Sequence, residues 1–270
     1  MPVVGVCKLC HEEAELQDSH FLPAWLYKLC RDMENDRPPV AIAGGVAKQT
    51  SNQARDHVLC RNCEERFNVR GEQWFHTRVA TPDGFPIRQI LKAAEPKVSG
   101  EEIALYAGAE IPELDMDQIA YFGLRIFWRS SAHAWPDPNR PGRKMLGINL
   151  GPYEEPLRVF LVDKGPFPET ANTIVSVWPY DKQPPLAFQT PVSANKGAFH
   201  SHMFYVPGID FKFVAGKALP KEFQQMCAQA SPNRAILSSV LGADTIIDAY
   251  VANVKKTVSA GKLAAQFNKK

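Results

Sequence analysis

The chain has 270 residues, of which 45% are hydrophobic and 22% charged, and a net charge of +2 at pH 7. This length accommodates one large domain or two modest ones, and the charge is far from the strongly basic balance of a dedicated nucleic-acid-binding module. No stretch approaches the roughly 18 apolar residues of a membrane span. The segment Met1–Cys7 lacks the basic start and apolar core of a secretory signal. We therefore expect a cytoplasmic protein without a membrane partner.

Two Cys-x-x-Cys pairs are the most specific pattern in the sequence. Cys7 and Cys10 form the first pair, and Cys60 and Cys63 form the second. Each such turn directs two sulfurs to one point, and two turns together supply the four soft, tetrahedral ligands that zinc prefers. A redox pair would need a thioredoxin-like strand–helix context, which neither pair has. The sequence therefore predicts one structural zinc ion held by these four cysteines.

The elements around the cysteines predict a compact zinc module. A helix is expected over Leu22–Glu34, because Pro23 suits a first helical turn. Residues 35–52, with their Pro and Gly pairs, indicate a long loop or an insertion. A second helix is expected from Arg61 to about Val79, so that the second Cys pair lies in its first turn. A turn, a hairpin and a zinc-anchored helix in this order make a treble clef.

A domain boundary is expected at the turn signal Thr81–Gly84, which divides the chain into residues 1–80 and 81–270. Helical periodicity in the second part predicts a helix over Met116–His133. Short β-branched and aromatic segments between Gly and Pro turns predict a mainly antiparallel sheet. The fold class expected is therefore α+β, a zinc treble clef followed by an α+β domain. The strands are predicted at Met145–Leu150, Arg158–Val162, Thr173–Trp178, Phe199–Val206 and Ile209–Val214, and the closing helices at Pro220–Ala230 and Asp244–Val258.

A polar stripe runs along the predicted helix that starts at Arg61. Glu64, Asn68, Glu72 and His76 follow one another at spacing four, so they share one helical face. The stripe is interpreted either as part of a metal or phosphate site or as a solvated face.

The segment from Cys7 to His76 resembles the HNH endonucleases, also called His-Me finger nucleases, whose ββα-metal core is often built on a zinc treble clef. The shared order is a Cys-x-x-Cys, a hairpin that ends in His20-x-x-Pro23, an insert, and Leu-Cys-x-x-Cys-Glu at a helix start. The resemblance covers under a third of the chain. The part of the chain with Tyr121–Arg129 also looks like uncharacterised bacterial proteins that carry such a module at the front.

The resemblance implies a catalytic role for His20, as the general base that activates water for attack on a phosphate. It also implies a catalytic divalent ion, magnesium or manganese, held by a residue just before the base and by Glu64 on the zinc-anchored helix. Ser19 directly precedes the base here, but Asp18 shares a strand face with His20. Arg55 stands where the family has an Asn that orients the base.

Two classes of function remain open from the sequence. The first is a metal-dependent nuclease that hydrolyses phosphodiester bonds, with DNA favoured over RNA as the substrate and with His20, Glu64 and Asp18 as catalytic residues. The second is a non-catalytic, zinc-stabilised module that binds nucleic acid or a protein partner, including a second copy of the chain. A third hypothesis gives the α+β domain an unrelated activity of its own.

Further candidate residues have weaker patterns. His11 and His57 flank the Cys pairs and are alternative zinc ligands. His200 and His202 share a predicted strand face, for which a structural role is favoured over a metal site. On the helix Met116–His133, a buried Trp beside salt-bridged Arg is favoured over a nucleic-acid contact; the residues concerned are Arg125, Trp128 and Arg129.

Overall fold

A computed structural model of the protein describes residues 2–32, 34–78, 81, 84–179, 186–194, 199–231 and 234–267. It has the predicted α+β class, with mostly antiparallel sheets. The helices are α1 (Ala24–Leu29), α2 (Arg61–Phe67), α3 (Gln73–Arg78), α4 (Pro86–Ala93), α5 (Met116–Ala132), α6 (Glu154–Leu161), α7 (Lys221–Gln225), α8 (Val240–Lys255) and α9 (Lys262–Phe267). The strands are β1 (Val3–Val6), β2 (Glu13–His20), β3 (Val40–Ala43), β4 (Val46–Gln49), β5 (Arg55–Cys60), β6 (Val98–Ser99), β7 (Ile103–Ala107), β8 (Ala171–Val177), β9 (Gln189–Ser193), β10 (His200–Val206), β11 (Ile209–Ala215), β12 (Ala235–Ser239) and β13 (Val258–Ala260).

The N-terminal sheet carries the cysteine pairs. Its strand order is β1-β2-β5 with antiparallel neighbours, and β5 runs directly into α2. The register between β2 and β5 shifts by one residue after Gln17, so that Gln17 faces Leu59 whereas Asp18 faces His57. Such a bulge turns the side chains beyond it. The sheet and helix α2 together form the knuckle, hairpin and helix that the sequence predicts.

Of the two interpretations of residues 35–52, a long loop or an insertion, the long loop is wrong. Strands β3 and β4 form a hairpin there, and β4 also pairs in parallel with β13 near the C-terminus. Gly44 and Gly45 form the two-residue turn with φ values of 59° and 75°. Glycine populates this left-handed region without steric cost, which makes it suited to a tight hairpin turn. The Gly pair that indicated a loop is therefore the centre of a hairpin.

The predicted helix from Arg61 to about Val79 is interrupted. Helices α2 and α3 are separated by a wide turn over Asn68–Glu72, in which Gly71 has a φ of 123°. A Cβ at Gly71 would lie 3.1 Å from the backbone of α5 at Gln118 and Phe122. Close approach of α5 at this point therefore requires glycine and bends the chain. Val79 lies outside the described residues.

The large sheet has seven strands in the order β6-β7-β12-β8-β11-β10-β9. Neighbouring strands in this sheet are antiparallel, except for β12 and β8, which run parallel. Helix α5 packs on one face, where Phe127 lies 5.0 Å from Phe204 and 5.8 Å from Phe213, measured between ring centroids. On the other face Ala243 and Ile246 of α8 join a second apolar cluster with Trp178 and Tyr205.

Several predicted elements of the second part are confirmed and others are wrong. The helix predicted at Met116–His133 is α5, and β8, β10 and β11 lie where strands were expected. The strand predicted at Arg158–Val162 belongs to helix α6, because Leu157 and Leu161 bury one helical face. Residues 145–150 are not a strand, and the helix predicted at Pro220–Ala230 is only the short α7.

The first part of the chain and the second share one apolar core. Cys63 and Phe67 of α2 belong to the same buried cluster as Tyr121 and Trp128 of α5. The domain boundary at residue 80 stays a prediction. In the described part of the chain, every helix is too short or too polar to cross a bilayer.

Candidate metal centre and the His20 face

The four predicted zinc ligands converge at one point. The sulfur atoms of Cys7, Cys10, Cys60 and Cys63 all lie within 4.8 Å of one another. A tetrahedral site with Zn–S bonds of about 2.3 Å has S···S edges of about 3.8 Å. Cys10 Sγ and Cys60 Sγ are 3.8 Å apart, and all six cysteines of the chain are free thiols. The cluster therefore fits a structural metal ion such as zinc.

Backbone geometry creates this convergence. Cys7 N–H donates to Glu12 O at 2.9 Å, which closes the knuckle between β1 and β2, while His11 takes up a left-handed φ of 66°. Cys60 ends β5, and its N–H donates to Cys7 Sγ at 3.3 Å. A hydrogen bond from Cys63, and then backbone N–H donors, lower the pKa of Cys7 to about 4. Burial raises the pKa of Cys10, and the shared hydrogen bond with Cys7 raises that of Cys63, so the thiolate is favoured at Cys7 among these three.

The two flanking histidines lie outside this cluster. Within the described residues, the four cysteines are the only set of at least three His, Cys, Asp or Glu side chains close enough to share a metal ion. His11 and His57 are exposed at their positions beside the Cys pairs. They are therefore not needed as zinc ligands.

His20 occupies the end of strand β2, and its neighbours on the sheet face are polar. It lies directly opposite Arg55 on β5, and Asp18 lies opposite His57. Residues opposite each other in an antiparallel pair share a face, as do residues two apart on one strand. These four side chains, His20, Arg55, Asp18 and His57, therefore form one group, which we call the His20 face. Ser19 points the other way and is buried.

The pKa of His20 lies below the ordinary value of an imidazole. Burial lowers its pKa most, and the positive charge of Arg55 lowers it further, against the opposing effects of Asp18 and Glu64. Its backbone is also fixed, because Arg129 Nη1 donates to His20 O. A neutral, partly buried imidazole on a fixed strand end can accept a proton from a bound molecule.

The two carboxylates predicted as catalytic metal ligands both contact arginines. Asp18 Oδ2 lies 2.5 Å from Arg55 Nη2. Both carboxylate oxygens of Glu64 accept from Arg129 Nη2 at 2.8 Å. A divalent cation needs such oxygens as its ligands, and an adjacent guanidinium both repels it and occupies them. The arrangement therefore does not fit the catalytic divalent ion that the resemblance to HNH nucleases implies.

The rest of the polar stripe is divided, because Glu72 packs against α5 whereas Asn68 and His76 are exposed. Glu72 pairs with Arg125 of α5 at 2.9 Å. Arg125 lies one helical turn before Arg129 on α5, so the two ion pairs are neighbours. His76 stacks on Trp25 with 4.8 Å between ring centroids. The interpretation of the stripe as a solvated face is wrong for Glu64 and Glu72, which are 28% and 24% exposed and face α5.

Helix α5 carries buried cations. Arg125 and Arg129 are 2% and 4% exposed, and Trp128 between them is 1% exposed. The favoured interpretation of this segment, a buried Trp beside salt-bridged Arg, is confirmed. Sequence reasoning did not find the pairing of Arg129 with Glu64, because 65 positions separate the two residues and no local pattern connects them.

Two other features lie away from this site. His202 is fully buried, stacks on Phe213 and has its Nδ1 3.1 Å from Ser193 Oγ, and its ring lies 6.3 Å from that of His200. This contact set agrees with a structural role. A cleft of about 430 Å³ between α4 and β7 is lined by Lys97 and Glu110, which pair with each other, and by none of the predicted site residues.

Comparison with known proteins gave no match for this chain among family models, curated proteins or solved structures.

Proposed function

We propose that this protein is a nuclease, in which a zinc-stabilised hairpin presents His20 as the general base for cleavage of a phosphodiester bond. The observation that carries the proposal is the position of His20. It ends a hairpin strand that starts at the cysteine knuckle, its pKa is lowered, and an arginine lies directly opposite. A base of this kind typically contributes about 10²–10⁴-fold to a rate.

The parts of the site have separate roles in this proposal. The cysteine cluster, with zinc bound, joins the knuckle to the start of α2 and thereby stabilises the hairpin. Arg129 connects the end of β2 to α2, since it contacts both His20 O and Glu64. Glu64 is thus a positioning residue rather than a metal ligand. The resemblance to HNH nucleases supports a nucleic-acid substrate.

A second candidate function is a non-catalytic module that binds nucleic acid or a protein partner. The observation that favours it is the engagement of both acidic residues by arginines, which removes the ligands a metal-dependent nuclease needs. In that case the zinc cluster is only a scaffold. Retained binding with no cleavage would support this alternative.

The test is cleavage of labelled DNA and RNA oligonucleotides, with and without added magnesium or manganese. The wild type is expected to cleave at least one of them, and His20→Ala to lose most of the activity while it keeps its zinc and its fold. His76→Ala is the matched control, because this exposed histidine stacks on Trp25 away from the cysteines. Cleavage that survives His20→Ala unchanged would place the active site elsewhere.

A further inference from the structure

The two carboxylates predicted to hold a cation beside His20 are both engaged by arginines. Asp18 contacts Arg55, and Glu64 is held by Arg129, which is 4% exposed and so remains beside it. Releasing Glu64 for a metal would leave the buried guanidinium of Arg129 without its carboxylate partner, which is strongly unfavourable. The positive charge that a divalent ion would supply is already present in the side chain of Arg55.

Arg55 is arranged to bind a phosphate. Its side chain is 47% exposed, and only one of its terminal nitrogens is needed for the contact with Asp18. A guanidinium has five N–H donors in a planar fork that matches the oxygens of a phosphate. Asp18 holds this fork in place, and so acts as a positioning residue.

Two imidazoles lie on either side of Arg55. His20 lies directly opposite it, and His57 is two residues further along β5 on the same face. Diagonal neighbours of this kind are about 7–8 Å apart, and the Asp18–Arg55 pair spans the other diagonal, so the guanidinium lies between the two rings. His57 is exposed, so a ligand can reach it.

We propose, on the basis of the nuclease function above, that the His20 face cleaves RNA by transesterification without a divalent cation. Arg55 binds the phosphate, His20 takes the proton of the ribose 2′-hydroxyl, and the 2′-oxygen forms a bond to phosphorus. The bond from phosphorus to the 5′-oxygen breaks, and His57 gives that oxygen a proton. The products are a 2′,3′-cyclic phosphate and a 5′-hydroxyl, so atoms and charge balance.

The choice of RNA follows from the nucleophile. A metal ion ordinarily generates hydroxide from water at neutral pH, and the carboxylates that would hold one are engaged here. The ribose 2′-hydroxyl is already next to the phosphate, and this proximity replaces an activated water. DNA lacks that hydroxyl.

The experiment uses the full-length, zinc-loaded protein in buffer freed of magnesium and manganese. Three oligonucleotides of one sequence are compared: RNA, DNA, and RNA with a single 2′-deoxy position. The RNA is expected to be cut at the same rate with and without magnesium, to give cyclic phosphate ends by mass spectrometry, and to resist cleavage at the deoxy position. DNA is expected to remain intact.

Variants then test the assigned roles. His20→Ala and His57→Ala are each expected to lower kcat by about 10²–10⁴-fold. Arg55→Ala is expected to raise KM, and Asp18→Asn to do so more weakly, with no rescue by excess manganese. Arg61→Ala, an exposed arginine at the start of α2, is the control for Arg55 and is expected to match the wild type. Zinc content and circular dichroism verify that each variant is folded.

The outcomes separate this inference from the nuclease proposal. Cleavage that requires magnesium or manganese, acts on DNA and is lost in His20→Ala overturns the inference and keeps the nuclease. Manganese rescue of Asp18→Asn also overturns it, because Asp18 would then be a metal ligand. RNA cleavage that is unchanged in His20→Ala, or the absence of cleavage under every condition, overturns both.

Discussion

Arg129 of helix α5 binds both carboxylate oxygens of Glu64 on α2 at 2.8 Å, and its other terminal nitrogen donates to the backbone of His20. One buried guanidinium thus connects the central helix, the zinc-anchored helix and the end of the hairpin. Glu64 thus ties helix α2, which follows the four-cysteine cluster, to the rest of the chain.

This relationship predicts the effect of substitutions at Glu64. Glu64→Ala should lower the free energy of unfolding by about 2–3 kcal/mol, because Arg129 stays buried without its partner. The loss is below that of a fully buried pair, since Glu64 is 28% exposed. Urea denaturation measures it, and Glu65→Ala, an exposed neighbour, should change stability by no more than about 0.5 kcal/mol. Recovery of stability with magnesium, or an equal effect of both variants, would contradict this role.

Zinc content is the second prediction. Elemental analysis of the purified protein should find about one zinc ion per chain, bound by the four-cysteine cluster. Cys60→Ser should release it and destabilise the N-terminal sheet, because metal affinity in such sites is folding free energy. Cys30→Ser is the matched control: burial raises the pKa of Cys30 to about 12, and this residue lies outside the cluster. A folded, zinc-free wild type or a disulfide among the four cysteines would refute the prediction.

The third prediction is a pH dependence set by Asp210 on β11. Burial, opposed by Lys212 at 3.7 Å, raises the pKa of Asp210 to about 6, against 3.8 ordinarily. The folded state therefore holds this proton more tightly, so stability is lost as the pH rises from about 4 through 6. The full effect is about 3 kcal/mol at 1.36 kcal/mol per pKa unit.

Asp210→Asn should remove this contribution, because asparagine stays neutral. The difference in unfolding free energy between variant and wild type should increase from pH 4 to pH 7, measured by urea denaturation at each pH. Asp248→Asn on the exposed side of α8 is the control and should show no such trend. A pH-independent difference for Asp210→Asn would mean that the carboxylate is solvated in the folded protein.

The fourth prediction is a pH dependence of stability opposite in sign to that of Asp210, and it is set by His202 on β10. Burial, and then the charge of His200, lower the pKa of His202 to about 4 from 6.5. The unfolded chain then binds the proton more tightly than the folded chain does. The buried imidazole therefore does not reduce the free energy of unfolding above pH 6.5, but reduces it as the pH falls towards 4. His202→Asn keeps a partner for Ser193 and should reduce the loss of unfolding free energy between pH 6.5 and pH 4, measured by urea denaturation. His76→Asn, the control, should not. An unchanged loss in His202→Asn would show that this imidazole is accessible to protons in the folded state.

Patterns within a short stretch of sequence predicted much of this structure correctly. The spacing of Cys7, Cys10, Cys60 and Cys63 predicted a converging cluster, because each Cys-x-x-Cys turn directs its sulfurs locally. The apolar periodicity predicted helix α5 to within one residue at its end, Met116–His133 against the observed Met116–Ala132. The signal is strong because buried residues occur in nearly every turn of this helix. The alternation on β2 predicted that Asp18 and not Ser19 shares a face with His20.

Only the tertiary structure determines which charged residues pair and which strands are neighbours. Arg129 reaches Glu64 and His20 across 65 and 109 positions, and β4 pairs with β13 from the other end of the chain. The strand predicted at Arg158–Val162 became helical because Leu157 and Leu161 pack against the core, which β-branched composition does not report. Local propensity contributes a fraction of a kcal/mol per residue, whereas burial of an apolar side chain contributes up to about 3 kcal/mol and burial of an unpaired charge costs several. Burial of both kinds depends on residues distant in the sequence, so its contribution is fixed only once the chain has folded.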